Sequence, residues 1–100
     1  MKARAWFVYM LECKGGRLYT GVSPDVVARF AAHRRGRGGA FTRSFPPRRI
    51  LAARRCGPRG KALSAEHALK QLKRPEKLVW ARRWRWSGSL RPRAARGSRR

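Results

Sequence analysis

Four carboxylates, two histidines and two tyrosines are what this chain of 100 residues offers for proton transfer or for holding a hard cation, set among 27 lysines and arginines. Asp25, Arg29 and His33 follow one another at i, i+4 and i+8, so on a helix they share one face. Such a face could set a guanidinium against phosphate oxygens while an imidazole moves a proton near neutral pH. Tyr9 and Tyr19 add two phenols, which act as bases only where nearby cations lower their pKa. Glu12, Asp25, Glu66 and Glu76 are the four carboxylates available to a hard cation. Mg²⁺ keeps several of its waters, so one carboxylate and a substrate phosphate suffice for it. Each of these residues also has a plain structural use. Arg29 can form a surface ion pair with Asp25, and Glu66 can pair with Lys70 one helical turn on, each worth only a few tenths of a kcal/mol. His67 adjoins Glu66 but points about 100° around the helix, which makes it a surface residue and not a co-ligand.

The charge balance narrows the partner. With a formal net charge of +23, mostly arginine, the chain should seek polyanions. Arginine forks pair bidentately with phosphate and stack on bases, whereas binding to a membrane surface calls for basic residues along an amphipathic helix with a broad apolar face. Nucleic acid is therefore the expected partner, DNA first and RNA as the alternative, although a coding bias toward Arg and Ala accounts for part of the excess. Cys13 and Cys56 are too few and too isolated for a disulfide framework or a zinc site and read as free thiols. The apolar run from Trp6 to Leu11 is too short for a secretory signal, and no run reaches membrane-spanning length. No membrane association and a cytoplasmic location are expected.

The elements that must position these groups follow from pattern. Residues 5–12 are aromatic and β-branched on both alternating faces, as in a strand covered on two sides. Lys14-Gly15-Gly16-Arg17 turns the chain, and residues 18–22 return as the second strand of a hairpin. Ser23-Pro24-Asp25 predicts a helix with a Ser23 cap, Pro24 in its first position and a carboxylate in its first turn, running to about His33 or Arg34. Gly36-Arg37-Gly38-Gly39 is a loop, and residues 48–55 suit a third strand. A helix from Lys61 to Lys73 would bury Ala65, Ala68, Leu69 and Leu72, with Pro75 breaking or bending it. A last helix over 76–84 would bury Leu78, Val79 and Trp80. The expected fold is α+β, a small antiparallel three-stranded sheet flanked by helices over residues 1–84, followed by a disordered basic tail over 85–100.

The hairpin carries a resemblance. Val8-Tyr9-Met10 and Tyr19-Thr20-Gly21 are similar to the two signature tripeptides of the GIY-YIG nuclease superfamily, in its small stand-alone single-domain form. Arg29 and His33 match the family's Arg and its His or Tyr, Gly36 through Thr42-Arg43 its following loop, and Ser64-Ala65-Glu66 with Lys70, Leu72, Arg74 and Lys77 its metal-site helix. The resemblance spans roughly residues 5 to 80 in order, which is far more specific than either tripeptide alone. Val22 stands where some relatives carry a catalytic Lys.

The resemblance implies a metal-dependent endonuclease that hydrolyses DNA phosphodiesters, structure-selective and related to repair or recombination. Tyr9, Tyr19, Arg29 and His33 would be its catalytic residues, Glu66 its ligand for Mg²⁺ (Mn²⁺ as the alternative), and Arg37, Arg43, Lys70 and Lys77 its nucleic-acid contacts. Tyr9, Tyr19 and His33 all remain candidates for the general base. Two other readings compete: a nucleic-acid-binding module with a vestigial nuclease site, and an RNA-associated basic protein. Neither explains a carboxylate kept opposite two tyrosines in a basic groove, where its charge would weaken phosphate binding.

Overall fold

Strand β1 (Trp6–Cys13) is apolar at almost every position, and the computed structural model, which describes residues 4–88, shows why. It is the central strand of a three-stranded sheet of order β2-β1-β3, both pairings antiparallel, with β2 spanning Leu18–Ser23 and β3 Pro47–Gly57. Successive side chains of a strand point to opposite faces. Tyr9, Leu11 and Cys13 therefore pack with Val26 and Phe30 of helix α1 (Val26–Arg34) and with Ile50 of β3. Val8 and Met10 pack on the other side with Ala52 of β3, Leu69 of α3 (Arg59–Lys70) and Ala81 of α4 (Arg74–Arg83). The result is the expected α+β arrangement with helices on both faces. No helix among the described residues is long and apolar enough to cross a membrane.

The hairpin closes as expected. Gly15 and Gly16 both take positive φ, a conformation that costs residues with a Cβ, and Cys13 N–H donates to the Arg17 carbonyl at 2.7 Å. At the next junction the cap differs from expectation. Asp25, not Ser23, caps α1, accepting the Ala28 N–H on Oδ1 at 3.0 Å. Ser23 ends β2 instead, and its hydroxyl accepts the Asp25 N–H at 3.0 Å, an alternative local bond typical of serine.

Three expectations needed tertiary correction. A five-residue helix, α2 (Ala40–Ser44), follows the glycine loop where no helix was expected. In α3 the buried stripe is Ala62 and Leu69, with Ala65 half-buried, while Ala68 is exposed. The helix ends at Lys70, so Leu72 packs from beyond it and the stripe falls at i, i+3 and i+7. In α4, Pro75 lies within the first turn, a position that needs no N–H, and Glu76 Oε1 accepts the Lys73 N–H at 2.9 Å. Only one side of α4 meets β3, so Ala81 is buried while Val79 stays 56% exposed.

Past the expected domain end at residue 84, the chain runs on along the free edge of β3. Ala53 N–H donates to the Trp84 carbonyl at 3.0 Å and Trp86 N–H to the Leu51 carbonyl at 2.8 Å, with Arg85 bridged to Ala52. Trp86 packs against the core on the α1 side of the sheet. The part of the expected tail from residue 89 onward lies outside the described residues.

Candidate functional site

Tyr9 faces α1 from the middle of the sheet, directly across β2 from Gly21. Its ring lies over that glycine: a Cβ there would come within 2.6 Å of the Tyr9 hydroxyl and 3.1 Å of the Tyr19 ring. Gly21 thus lets two tyrosines from neighbouring strands close on one point.

At that point Tyr9 Oη lies 3.0 Å from His33 Nε2, and His33 Nδ1 lies 2.8 Å from Thr42 Oγ1. All three side chains are buried, at 1%, 0% and 1% exposure. Burial raises the pKa of Tyr9 well above 10.0, reinforced by the nearby Tyr19 and opposed by the Arg29 guanidinium, with the Glu66 charge a smaller upward push. Burial, aided by the Arg29 charge, lowers the pKa of His33 below 6.5. At neutral pH the phenol therefore keeps its proton and the imidazole is neutral. With the ring proton on Nδ1, the Tyr9 hydroxyl would donate to Nε2 and Nδ1–H would donate to Thr42 Oγ1. The edge of the His33 ring stacks on Tyr19 at 4.8 Å between centroids. Gly38 covers the ring so closely that any Cβ at Gly38 would overlap it.

Arg29 is exposed, and its charge acts on both Tyr9 and His33. The surface ion pair with Asp25 is not made; Asp25 reaches Arg4 instead, at 3.9 Å. Tyr19 is half-exposed and presents the second phenol beside Tyr9, with ring centroids 6.4 Å apart. Tyr9, Tyr19, Arg29 and His33 are thus brought together from β1, β2 and α1.

The four carboxylates separate cleanly. Glu12 pairs with Arg49 at 2.6 Å across the sheet, Asp25 caps α1 and Glu76 caps α4. Glu66 alone has its charge felt at Tyr9. It is 19% exposed and pairs with Lys70 at 3.3 Å, so the i, i+4 pair inferred from spacing is present. Among the described residues no three His, Cys, Asp or Glu side chains gather as a metal cage. A cation here would have one protein carboxylate and otherwise water and substrate oxygens, a set that suits Mg²⁺.

Of the expected nucleic-acid contacts, Arg37 and Arg43 are exposed on the loop and helix that carry Gly38 and Thr42. Lys70 is held by Glu66. Lys77 sits apart on α4, which packs on β3, the strand farthest from Tyr19. Thr42 and Gly38 were not foreseen as site residues. Their signal in the sequence is only that both lie in the glycine-rich loop and its exit, nine and five residues beyond His33.

Known proteins share the sequence and fold of this chain. The family model described as GIY-YIG catalytic domain matches residues 5–79. A UPF0213 protein of Cupriavidus pinatubonensis is 42% identical over 77 residues, covering 77% of this chain and 86% of that protein. A UPF0213 protein of Xanthomonas axonopodis pv. citri is 43% identical, covering 77% of this chain and 76% of that one. The solution NMR structure of a UPF0213 protein from Bacillus halodurans superposes with a TM-score of 0.50 at 35% identity, over 78% of this chain and 83% of that one.

Proposed function

The chain belongs to the GIY-YIG family of nuclease domains, and from that premise we propose that it is a divalent-metal-dependent endonuclease that hydrolyses DNA phosphodiesters. Its substrate is branched or distorted DNA of the kind repair and recombination produce, acted on in the cytoplasm. One observation carries the reading: the Tyr9 hydroxyl is hydrogen-bonded to a buried His33, with the Arg29 guanidinium and the Glu66 carboxylate both near enough for their charges to act on Tyr9. Neither a binding module nor an RNA-associated platform has use for that arrangement, because a carboxylate beside a phosphate-binding arginine weakens binding.

The reaction is in-line attack of water on phosphorus. Arg29, exposed beside Tyr9, has a fork of N–H groups to set against the non-bridging oxygens and stabilise the charge that grows there. Tyr19, the half-exposed phenol, orients the attacking water. The proton leaves that water for Tyr9 Oη as Tyr9 passes its own proton to His33 Nε2, so the charge ends on the imidazolium, with Nδ1–H still held by Thr42. His33 is suited to this receiving role because it is neutral before the step. Glu66 would hold the cation, which when bound supplies Lewis-acid stabilisation at the scissile phosphate.

The test is a cleavage assay on branched, nicked, single-stranded and duplex DNA and on matching RNA, with Mg²⁺, Mn²⁺ or EDTA. Cleavage of distorted DNA that EDTA stops is expected. Binding without cleavage on every substrate would overturn the proposal in favour of a module with a vestigial site.

A further inference from the structure

The catalytic cluster draws on β1, β2, α1 and α2. At the other edge of the sheet, a cleft of about 390 Å³ opens between β3, α4 and the segment that follows α4. Ile50, Leu51, Leu78 and Ala81 form apolar walls, Trp86 adds an aromatic one, and Arg49, Arg82 and Arg85 line the cleft. None of these residues belongs to the catalytic cluster.

The cleft is built and charged. The backbone on either side of Arg85 is bonded to β3 through Trp84 and Trp86, so that this arginine springs from sheet-like structure and not from a loose tail. Arg82 lies in the last turn of α4. Arg49 is answered by Glu12, but among the described residues no carboxylate pairs with Arg82 or Arg85. The buried indole N–H of Trp86 likewise has no hydrogen-bond partner. A basic, partly aromatic cleft of this kind suits a ligand that is anionic along one side and flat or apolar along the other.

We propose that this cleft is a second nucleic-acid site, which holds an uncleaved phosphodiester segment while the cluster at the other edge addresses the scissile phosphate. The proposal rests on the reading of the chain as a nucleic-acid hydrolase and extends it to a bidentate grip on the substrate. Arg82 and Arg85 take two phosphates, and the apolar wall and Trp86 accept the sugar and base between them. The chain's own C-terminal residues are a poor occupant, because residues 89–100 carry arginines and no acidic side chain and would meet like charge in the cleft.

The test uses the full chain in EDTA, so that binding is read without cleavage, with fluorescent polythymidylate and a thymidine trinucleotide titrated across salt. The Arg82→Gln/Arg85→Gln pair is expected to flatten the salt slope for the long strand by about 1.4, at roughly 0.7 per single-strand phosphate contact, and to weaken the trinucleotide too, since its two phosphates fit the cleft. Leu78→Trp fills the cleft without changing charge. It is expected to weaken the long strand several-fold. An unchanged slope in the arginine pair overturns the proposal. So does a Leu78→Trp protein, folded by circular dichroism, that binds the long strand normally, since the arginines would then act only as bulk charge. Polyglutamate binding that the arginine pair loses while its polythymidylate slope stays intact would assign the cleft to an acidic peptide instead. Long-strand binding that rises on deletion of residues 89–100, with the arginine-pair effect gone, would assign it to the C-terminus. Failure of wild-type cleavage with the expected slopes would sink the hydrolase reading and leave the cleft standing.

Discussion

The two faces of β1 are made from adjacent residues and do different work. On the α3 and α4 side, Val8 and Met10 meet Ala52, Leu69 and Ala81, an all-aliphatic contact whose contribution is burial. On the α1 side, Tyr9 shares its layer with Leu11, Val26 and Phe30 but also makes a hydrogen bond to His33 that continues to Thr42. A buried polar chain is tolerated because every atom in it has a partner, and the low dielectric that makes it costly to break also makes it responsive to charge. One face therefore supplies stability that tolerates repacking, and the other supplies a buried hydrogen-bonded chain that does not.

The sharpest way to break that comparison is Glu66→Gln, which leaves both faces packed. Cleavage in Mg²⁺ should be abolished, since a neutral amide does not hold a strongly hydrated cation at the phosphate, while metal-free DNA binding should persist or tighten. Measured cleavage that survives this substitution would remove Glu66 from the site. Arg29→Lys comes next. An ammonium cannot span two phosphate oxygens in a fixed plane, so turnover should fall on the order of 10²-fold with the circular dichroism spectrum unchanged. Near-normal turnover would return Arg29 to a surface role.

Neighbouring substitutions on β1 sharpen the contrast. Met10→Ala should lower stability by about 2–5 kcal/mol in urea unfolding and leave turnover of the folded fraction intact. Tyr9→Phe should cost turnover heavily, with a stability loss of about 1–3 kcal/mol from leaving the buried His33 Nε2 without its partner. Equal losses of turnover in both variants would mean that the cluster is only packing.

The smallest expected effect is on stability against pH. The folded-state pKa of His33 lies below 6.5, so above 6.5 both states hold a neutral ring and no difference arises. As pH falls through 6.5 the unfolded chain takes up a proton that the folded protein refuses, and stability declines until pH passes the folded value. Urea midpoints measured across that window should drop in the native protein and stay flatter in His33→Gln. Identical profiles would mean that His33 is not held neutral.

Much of this was legible in local pattern, because it depends on neighbours a few residues away. The doubly apolar run of β1 set a two-sided strand, Gly15-Gly16 set the turn, and the spacing of Arg29 and His33 put them on one helix face. Local pattern left open which carboxylate stood apart from structural duty. It also misplaced the buried stripe of α3 and the exposed Val79 of α4, because a helix stripe is chosen by the groove it packs in and several rotations of an alanine-rich helix are nearly equivalent by pattern. Only tertiary structure decided that Thr42 answers His33, that Gly21 and Gly38 must lack side chains, and that Trp84 to Trp86 return to β3. These are contacts between segments distant in the chain, whose separations no period of 2.0 or 3.6 residues encodes.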